Sequence, residues 1–278
     1  MAMRIAVVQM DCLLGEVTAN LEKIDRLAEA AAGLGADLAV FPECATTGYF
    51  IADRLPALAE PPDGASMARL AATARHHRLH LAVGLVLGEG GRYYDAQALF
   101  SPAGEPLGLY RKAHLFAAER QWYTAGDAPL VVPTALGRVG MTICYDLIFP
   151  DYVRRLVELG ADLIINSTDW IADEYQRSVW GWSGKTTQGL AATRALENVT
   201  FVAMANRVGR EGGFTSLGWS CVASPSGHVL ASLEEGEGIA TATVTLDSPD
   251  LARWRAIASY RSDRRPEVYG PGASAAPR

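Results

Sequence analysis

The sequence predicts one α/β domain in which helices pack around a buried β-sheet core. Amphipathic helical segments alternate with short apolar, β-branched runs, the pattern of sheets covered by helices. The tetrapeptide Gly-Ala-Asp-Leu occurs twice, at 35–38 and 160–163, each time after a helical segment and before an apolar run. That shared context predicts a pseudo-symmetric, two-layered core. Because no linker-like stretch divides the chain, we assign residues 1–260 to a single domain.

In the first half of the chain, apolar spacing and Gly or Pro stop signals define the predicted elements. Residues 4–10 form an apolar strand, and the helical spacing over 20–32 ends at Gly33. The same signals predict a helix over 66–77 and strands over 39–43, 81–87, 92–100 and 107–111. The long segment 112–129 that follows is irregular, and such loops in compact domains tend to be functional.

The second half begins with an apolar strand, 139–143, that stops at Cys144. Pro150 suits the first turn of a helix that continues to Leu159. Further signals predict helices over 185–197 and 250–258 and strands over 163–166, 201–205, 217–223, 228–232 and 239–246. Residues 261–278 are charged and then rich in Pro, Gly and Ala, so we expect a C-terminal tail that is either loose or held by a partner subunit.

Composition narrows the classes of function. The net charge of −6 and the pI near 5.4 argue against a nucleic acid or an anionic membrane as partner. No apolar run approaches the length of a membrane span, and the N-terminus lacks a signal-peptide layout. The four cysteines are widely spaced without a Cys-x-x-Cys pair. We therefore expect a reduced, cytoplasmic chain without a disulfide framework or a zinc site.

Cys144 is a candidate nucleophile because it lies where a strand turns directly into a helix. Such a bend lifts a side chain out of the sheet, where backbone N–H groups can face a developing negative charge. A nearby cation and helix-end N–H groups would favour the thiolate. Taken alone, a cysteine after an apolar strand is more often an inert core residue. The assignment therefore requires a base and a cation elsewhere in the chain.

Three other residues could supply them. Glu43 ends a predicted strand in Phe-Pro-Glu, where open α/β sheets place their chemistry. Lys112 ends another strand, and Glu119 lies in the long loop just after it. Each has a structural alternative: Glu43 as a helix cap, Lys112 as a solvated loop charge, and Glu119 as its surface partner.

Together these stretches resemble a known family. Phe-Pro-Glu at 41–43, Tyr-Arg-Lys-x-His-Leu at 110–115 and Cys-Tyr-Asp-x-x-Phe-Pro at 144–150 are similar in order and spacing to the motifs of the nitrilase superfamily of carbon–nitrogen hydrolases. The resemblance runs from residue 5 to about residue 269. It implies a four-layer α-β-β-α sandwich and a homodimer or higher homo-oligomer, with the C-terminal tail often crossing to the partner.

By the same resemblance, Glu43, Lys112 and Cys144 form a Glu–Lys–Cys triad, and Glu119 is the second glutamate of many members. Hydrolysis of an amide gains from division into thioester formation and thioester hydrolysis. Cys144 would attack the carbonyl, Glu43 would transfer protons, and Lys112 with the backbone N–H of Tyr145 would hold the oxyanion. No metal or organic cofactor is required.

The residues after the cysteine bear on the substrate. Cys-Tyr-Asp resembles the amidase, ω-amidase and carbamoylase branches, whereas true nitrilases usually show Cys-Trp-Glu. Leu147 and Ile148 stand where carbamoylases for N-carbamoyl amino acids carry an arginine pair. We therefore expect a small uncharged aliphatic or aromatic amide as substrate. Its expected binding residues, besides the N–H of Tyr145, are Tyr49, Asn166 and Trp170.

Several alternatives stay open at this stage. Trp170, Trp180 and Trp182 either line an apolar acyl pocket or pack in the core or an interface. Asp173 and Glu174 would suit an amine-bearing substrate such as N-carbamoylputrescine, and an ω-amidase is a further possibility. A nitrilase, an acyltransferase using the same thioester, and an inactive scaffold are the remaining readings.

Overall fold

A computed structural model describes residues 2–269, which alternate between helices and strands as the sequence predicts. The strands are β1 Ala2–Asp11, β2 Leu38–Val40, β3 His80–Glu89, β4 Arg92–Phe100, β5 Pro106–Arg111, β6 Leu130–Thr134, β7 Gly137–Ile143, β8 Leu163–Thr168, β9 Ile171–Ala172, β10 Phe201–Val208, β11 Arg210–Glu211, β12 Phe214–Ser216, β13 Cys221–Ala223, β14 Val229–Ser232 and β15 Gly238–Thr245. The helices are α1 Val17–Gly33, α2 Leu55–Leu58, α3 Ala65–His77, α4 Pro150–Glu158, α5 Glu174–Ser178, α6 Gly184–Asn198, α7 Pro249–Ile257 and α8 Pro266–Tyr269.

The main sheet is nearly closed on itself. Nine strands follow one another in the order β5-β4-β3-β2-β1-β10-β8-β7-β6, and β13, β14 and β15 join beside them. β1 and β10 pair only near their ends, at Met10 with Arg207 and Asp11 with Val208. The sheet divides there into two halves that face each other, since β3 contacts β8 and β4 contacts β7.

Alternating side chains give each half an inner and an outer apolar face. Ile5 and Val7 of β1 belong to the same buried cluster as the inner residues of β7 and β8, whereas Ala6 and Val8 cluster with α1 and α3. Helices α4 and α6 cover the outer face of the second half. The layers therefore run α-β-β-α, which confirms the predicted sandwich.

The two Gly-Ala-Asp-Leu copies make equivalent contacts, as the expected pseudo-symmetry requires. Asp37 accepts a hydrogen bond from the backbone N–H of Arg4 at 2.7 Å, and Asp162 accepts one from the N–H of Arg138 at 3.2 Å. In both copies the arginine guanidinium also binds the carbonyl of the leucine before the repeat, at 2.5 and 2.9 Å. Each repeat thus fastens the end of a helix to the first residues of the neighbouring strand.

Some predicted boundaries differ from the observed ones. β2 ends at Val40 rather than Glu43, so the Phe-Pro-Glu motif lies beyond the strand. Strand β6 was not predicted, and the predicted strand 217–223 is reduced to β13. The irregular segment 112–129 contains a short 3₁₀ turn, Ala117–Gln121.

The C-terminal prediction is only partly covered by the structure. Of the tail expected over 261–278, residues 270–278 lie outside the described part of the chain. Among residues 2–269, no helix combines the length and the apolar character needed to cross a membrane.

Candidate active site

The residues predicted to take part in the reaction each follow a strand, and these strands end on the same side of the sandwich. Glu43 comes three residues after β2, Lys112 directly after β5, and Cys144 directly after β7. Asp169 follows β8, which pairs in parallel with β7. β2 pairs in parallel with β3, and β5 runs in the direction of β3 because both pair antiparallel with β4. These strand ends therefore lie at one edge, which is where open α/β sheets place a site.

Lys112 lies at the centre of the site. Its Nζ is 2.5 Å from Glu43 Oε1, 2.8 Å from Glu119 Oε1 and 3.2 Å from Asp95 Oδ2. The lysine is fully buried and the three acids are buried with it. Burial alone would lower the pKa of Lys112, but the carboxylates outweigh it and hold the pKa well above its usual value. Lys112 is therefore a permanent cation rather than a solvated loop charge.

Glu43 has the environment of a general base. Besides Lys112, its carboxylate accepts the backbone N–H of Asp169, at 2.8 Å from Oε2. Complete burial raises the pKa of Glu43 well above its usual value, against the opposing effect of Lys112. A carboxyl that must accept and return protons near neutral pH benefits from such a raised pKa.

Cys144 begins a 3₁₀ turn, Cys144–Ile148, with its backbone in the left-handed region at φ 43°. Non-glycine residues rarely adopt that conformation, and it is common at functional sites. Tyr145 is at the start of the turn, so its N–H has no acceptor within the turn. The Cys144 Sγ is 4.0 Å from the carbonyl oxygen of Asp169.

The charge state of Cys144 differs from the expectation that a cation and helix-end N–H groups favour the thiolate. Burial, followed by the nearby Glu43, raises the pKa of the Cys144 thiol well above its usual value, although Lys112 opposes them. At rest Cys144 is therefore a neutral thiol, and a nucleophilic attack by it would need a proton acceptor.

Glu119 joins Lys112 to the tyrosine of the expected binding set. Its Oε1 accepts the Tyr49 hydroxyl in a short hydrogen bond, and its Oε2 accepts the N–H of Phe116 at 2.7 Å. Glu211 in turn accepts the N–H groups of Tyr49 and Phe50, each at 3.0 Å. The structure thus brings Tyr49 and Glu119 together, and Glu119 is not a surface partner.

The remaining predicted binding residues are placed differently. Asn166 lies within β8, where its Nδ2 donates to Thr142 of β7 at 3.0 Å, so its contact is inside the sheet rather than with the acids. Trp170 follows Asp169 and is 7% exposed, with its ring against Trp182. Trp180 is 67% exposed, which excludes a core position within one subunit.

Two residues of the site, Asp95 and Arg207, were not predicted from the sequence. Asp95 is an acid inside strand β4, and its sequence signal is an acid between Tyr94 and Ala96 within a predicted strand. Arg207 is fully buried, binding Asp169 at 3.0 Å and also Glu211. It lies at the end of the Ala-Asn-Arg stretch at 205–207, and the fold brings it to Asp169, which is distant in sequence.

The three carboxylates around Lys112 also have the spacing of a metal site. One oxygen from each of Glu43, Asp95 and Glu119 lies within 4.8 Å of the others. The Lys112 ammonium already contacts all three. The cation that these three carboxylates bind is therefore the Lys112 side chain.

Comparison with known proteins shows the family of this chain. Residues 4–256 match the family model described as carbon-nitrogen hydrolase. The chain is 36% identical over 280 residues to a Pseudomonas protegens protein named "Hydrolase in pqqF 5'region", covering 96% of this chain and 90% of that protein. It is 33% identical over 269 residues to an (R)-stereoselective amidase of Pseudomonas sp., covering 96% and 93%.

A solved amidase has the same fold. The amidase of Nesterenkonia sp. AN1, determined as a mutant in complex with butyramide, superposes with a TM-score of 0.81 at 30% identity, over 96% of this chain and 95% of that chain. Another mutant of it was determined with acrylamide. The chain therefore belongs to the carbon-nitrogen hydrolase family and is an amidase of the nitrilase superfamily.

Proposed function

We propose that the protein hydrolyses small uncharged amides through a thioester on Cys144, with Glu43 as the proton-transfer group. One observation carries this proposal. The backbone of Asp169 contacts both residues, since its N–H binds Glu43 and its carbonyl oxygen lies 4.0 Å from Cys144 Sγ. Glu43 and Cys144 therefore both contact one residue that directly follows β8, within a buried site.

The first half-reaction forms the acyl-enzyme. Cys144 Sγ attacks the amide carbon while its proton passes to Glu43, and the carbonyl oxygen becomes an oxyanion. Lys112 Nζ and the N–H of Tyr145 hold that oxyanion, and one such donor is typically worth about 3 kcal/mol. Glu43 then protonates the nitrogen, the carbon–nitrogen bond breaks, and ammonia leaves. Attack by a neutral thiol adds no further buried negative charge to the site before substrate binds.

The second half-reaction regenerates the enzyme. A water molecule gives a proton to Glu43 and attacks the thioester carbon, again forming an oxyanion at Lys112. Collapse of this intermediate breaks the carbon–sulfur bond, and the proton on Glu43 returns to Cys144. The products are a carboxylic acid and the original thiol. Glu119 supports these steps by fixing Lys112 and the Tyr49 hydroxyl.

Several contacts support an uncharged substrate. Aromatic rings follow the nucleophile, with Tyr145 edge-on to Phe116 at 5.2 Å between ring centroids. Asp173, which would have suited an amine, caps helix α5 by accepting the N–H of Gln176 at 2.7 Å. The Nesterenkonia amidase mutants hold butyramide and acrylamide, both small neutral amides. We therefore favour short aliphatic amides over N-carbamoylputrescine.

We also propose that the enzyme is a cytoplasmic homo-oligomer. Helix α7 leaves Ile257 68% exposed and Trp254 36% exposed, and Leu196 of α6 is exposed to a similar degree. All four cysteines are unpaired, which suits a reducing compartment. Sedimentation of the full chain should give more than one subunit, and Ile257→Glu should lower the assembly size without changing the fold by circular dichroism.

The test of the proposed function is ammonia release from short aliphatic amides, aromatic amides, ω-amides, N-carbamoyl amines and nitriles. We expect the highest kcat/KM among short aliphatic amides and no release by Cys144→Ala. Cys221→Ala is the matched control, because Cys221 is a fully buried cysteine on β13. Activity that survives Cys144→Ala, or that is confined to nitriles, would contradict the proposal. Product ratios with added hydroxylamine distinguish hydrolysis from acyl transfer.

A further inference from the structure

Asp95 is the one carboxylic acid of the Lys112 cluster to which the mechanism assigns no step. It lies on β4, where its carbonyl oxygen accepts the N–H of Lys112 at 2.9 Å and its Oδ2 lies 3.2 Å from Lys112 Nζ. The Cys44 thiol is 3.9 Å from its other oxygen, Oδ1. The side chain is 1% exposed, so water cannot stabilise a negative charge on it.

The hydrogen-bond donors are unequally divided among the three acids. Glu43 accepts Lys112 and a backbone N–H, and Glu119 accepts Lys112, a hydroxyl and a backbone N–H. Within residues 2–269, Asp95 has only the longest of the lysine contacts and a weak thiol donor, and its Oδ2 accepts no hydrogen bond of ordinary geometry. Asp95 is therefore the acid whose ionised form receives the least support.

The charges of the cluster also require a proton. Oxygens of Glu43, Asp95 and Glu119 lie within 4.8 Å of one another around a single ammonium. Like charges so close together in a buried site do not all ionise. Burial raises the pKa of both Glu43 and Asp95, and the contact between the two acids raises the pKa of Glu43 while lowering that of Asp95. The donors decide the other way, because Glu43 accepts the Lys112 ammonium and a backbone N–H whereas Asp95 Oδ2 accepts neither, and we follow the donors. Glu43 and Asp95 therefore share one proton.

We propose that Asp95 is a positioning residue that is protonated in the resting enzyme and donates a hydrogen bond to the Glu43 carboxylate. This rests on the proposed function for its catalytic consequence. With Asp95 neutral, two of the three Nζ protons of Lys112 are engaged by carboxylates, and the third is free for the substrate oxyanion. Glu43 is kept ionised and correctly aimed, so it can accept the Cys144 proton.

This assignment has a defined pH consequence. The titratable groups that face Asp95 are Glu43, Cys44, Lys112, Glu119 and Tyr123. When Asp95 loses its proton at high pH, a second unbalanced negative charge arises beside the oxyanion site and occupies the third Nζ proton of the lysine. kcat/KM is therefore expected to fall on the alkaline side as this proton is lost.

Two substitutions separate this role from a merely structural one. Asp95→Asn keeps the shape and the donor without the titration, so its kcat/KM at pH 7 should stay within about 3-fold of the parent and should not fall at high pH. Asp95→Ala removes the donor, and kcat/KM should drop by about 30-fold, the usual effect of losing a hydrogen bond to a charged group. An Asn variant as poor as the Ala variant, or one that keeps the parent's alkaline decline, would overturn the proposal.

A second readout does not depend on turnover. At pH 7 the infrared spectrum of the parent should contain the C=O stretch of a protonated carboxylic acid, and the spectrum of Asp95→Asn should lack it. The band should therefore appear in the difference spectrum of the parent minus the variant. Asp146→Asn is the control, because Asp146 is a buried acid that accepts the Tyr110 hydroxyl at 2.8 Å and two backbone N–H groups. If no amide is hydrolysed but the band disappears only in Asp95→Asn, the proposed function fails and the protonation stands. Absence of the band from the parent would refute the protonation itself.

Discussion

Lys112 Nζ lies 2.5 Å from Glu43 Oε1, and neither side chain is exposed to solvent. Burying such a pair costs desolvation that the mutual attraction rarely exceeds, so an apolar pair of similar volume would often be as stable. The pair is therefore better explained by chemistry than by stability: it keeps a cation beside the base and the nucleophile.

The pair predicts a pH-dependent loss of stability in Lys112→Met. Removing one partner of a buried ion pair typically costs about 3–5 kcal/mol, because the other charges remain uncompensated. Without the ammonium, the already raised pKa values of Glu43 and Asp95 rise further. Acids with a raised pKa in the folded state bind protons more tightly there, so their unfavourable effect grows as pH rises. Urea unfolding should show a larger deficit at pH 8 than at pH 5.

The control for that prediction is Lys185→Met, at an exposed lysine of α6. It should leave the free energy of unfolding nearly unchanged at both pH values. A deficit of Lys112→Met that is the same at pH 5 and pH 8 would be inconsistent with the charge account and would point to lost packing.

Gly84 of β3 limits the position of Glu43. A Cβ at Gly84 would lie 2.4 Å from the carbonyl oxygen of Pro42 and 2.6 Å from the Cα of Glu43, and both are backbone atoms that cannot rotate away. Gly84→Ala should therefore displace Glu43 and lower kcat by about 100-fold, the effect of a misplacement near 1 Å. In Gly189→Ala on α6, the new Cβ meets nothing within 4 Å, and activity should be retained. Parent-like kcat for Gly84→Ala would show that Glu43 need not be held there.

Tyr49 and Glu119 are expected to act as a unit. The Tyr49 hydroxyl donates to the same Glu119 oxygen, Oε1, that accepts Lys112. Tyr49→Phe and Glu119→Gln should each lower kcat/KM, by about 10-fold or more for loss of a charge-assisted hydrogen bond. The double variant should be little worse than Glu119→Gln alone, giving a coupling of about 1 kcal/mol or more. Additive losses would mean that Tyr49 acts directly on substrate instead.

Arg207 is predicted to be a structural cation of the site. It is fully buried and binds Asp169, whose backbone contacts both Glu43 and Cys144. Arg207→Met should lower the free energy of unfolding by about 3–5 kcal/mol through the uncompensated charge of its partners. Arg155→Met, at a 57% exposed arginine paired with Glu158, should change it by less than about 1 kcal/mol. Comparable losses of unfolding free energy in Arg207→Met and Arg155→Met would contradict the structural role of Arg207.

Much of this fold follows from local sequence signals. The strand over 92–100 coincides with β4, and the helix expected to begin at Pro150 is α4, because Pro at a first helical position and β-branched apolar runs act locally. The Gly-Ala-Asp-Leu repeat indicated the two matching halves. Strand β6 was missed because its Pro133 and flanking irregular residues give a weak strand signal.

Only the site residues that lie in recognisable sequence motifs could be predicted. The resemblance named Glu43, Lys112 and Cys144, and the structure brings the first two into contact. Asp95 was not predicted because an acid inside a strand has no short-range sequence signature. Its role depends on Lys112, which directly follows the neighbouring strand β5. The charge state of Cys144 also escaped, because the thiol pKa reflects burial, which only tertiary structure reveals.

The most direct test of the central claim is rapid-quench mass spectrometry of the enzyme mixed with a short aliphatic amide such as butyramide. A thioester mechanism predicts a transient mass increase equal to the acyl group, mapped to Cys144 and absent from Cys144→Ala. Steady ammonia release without any adduct across the quench times, or an adduct on the neighbouring buried Cys44, would contradict the account.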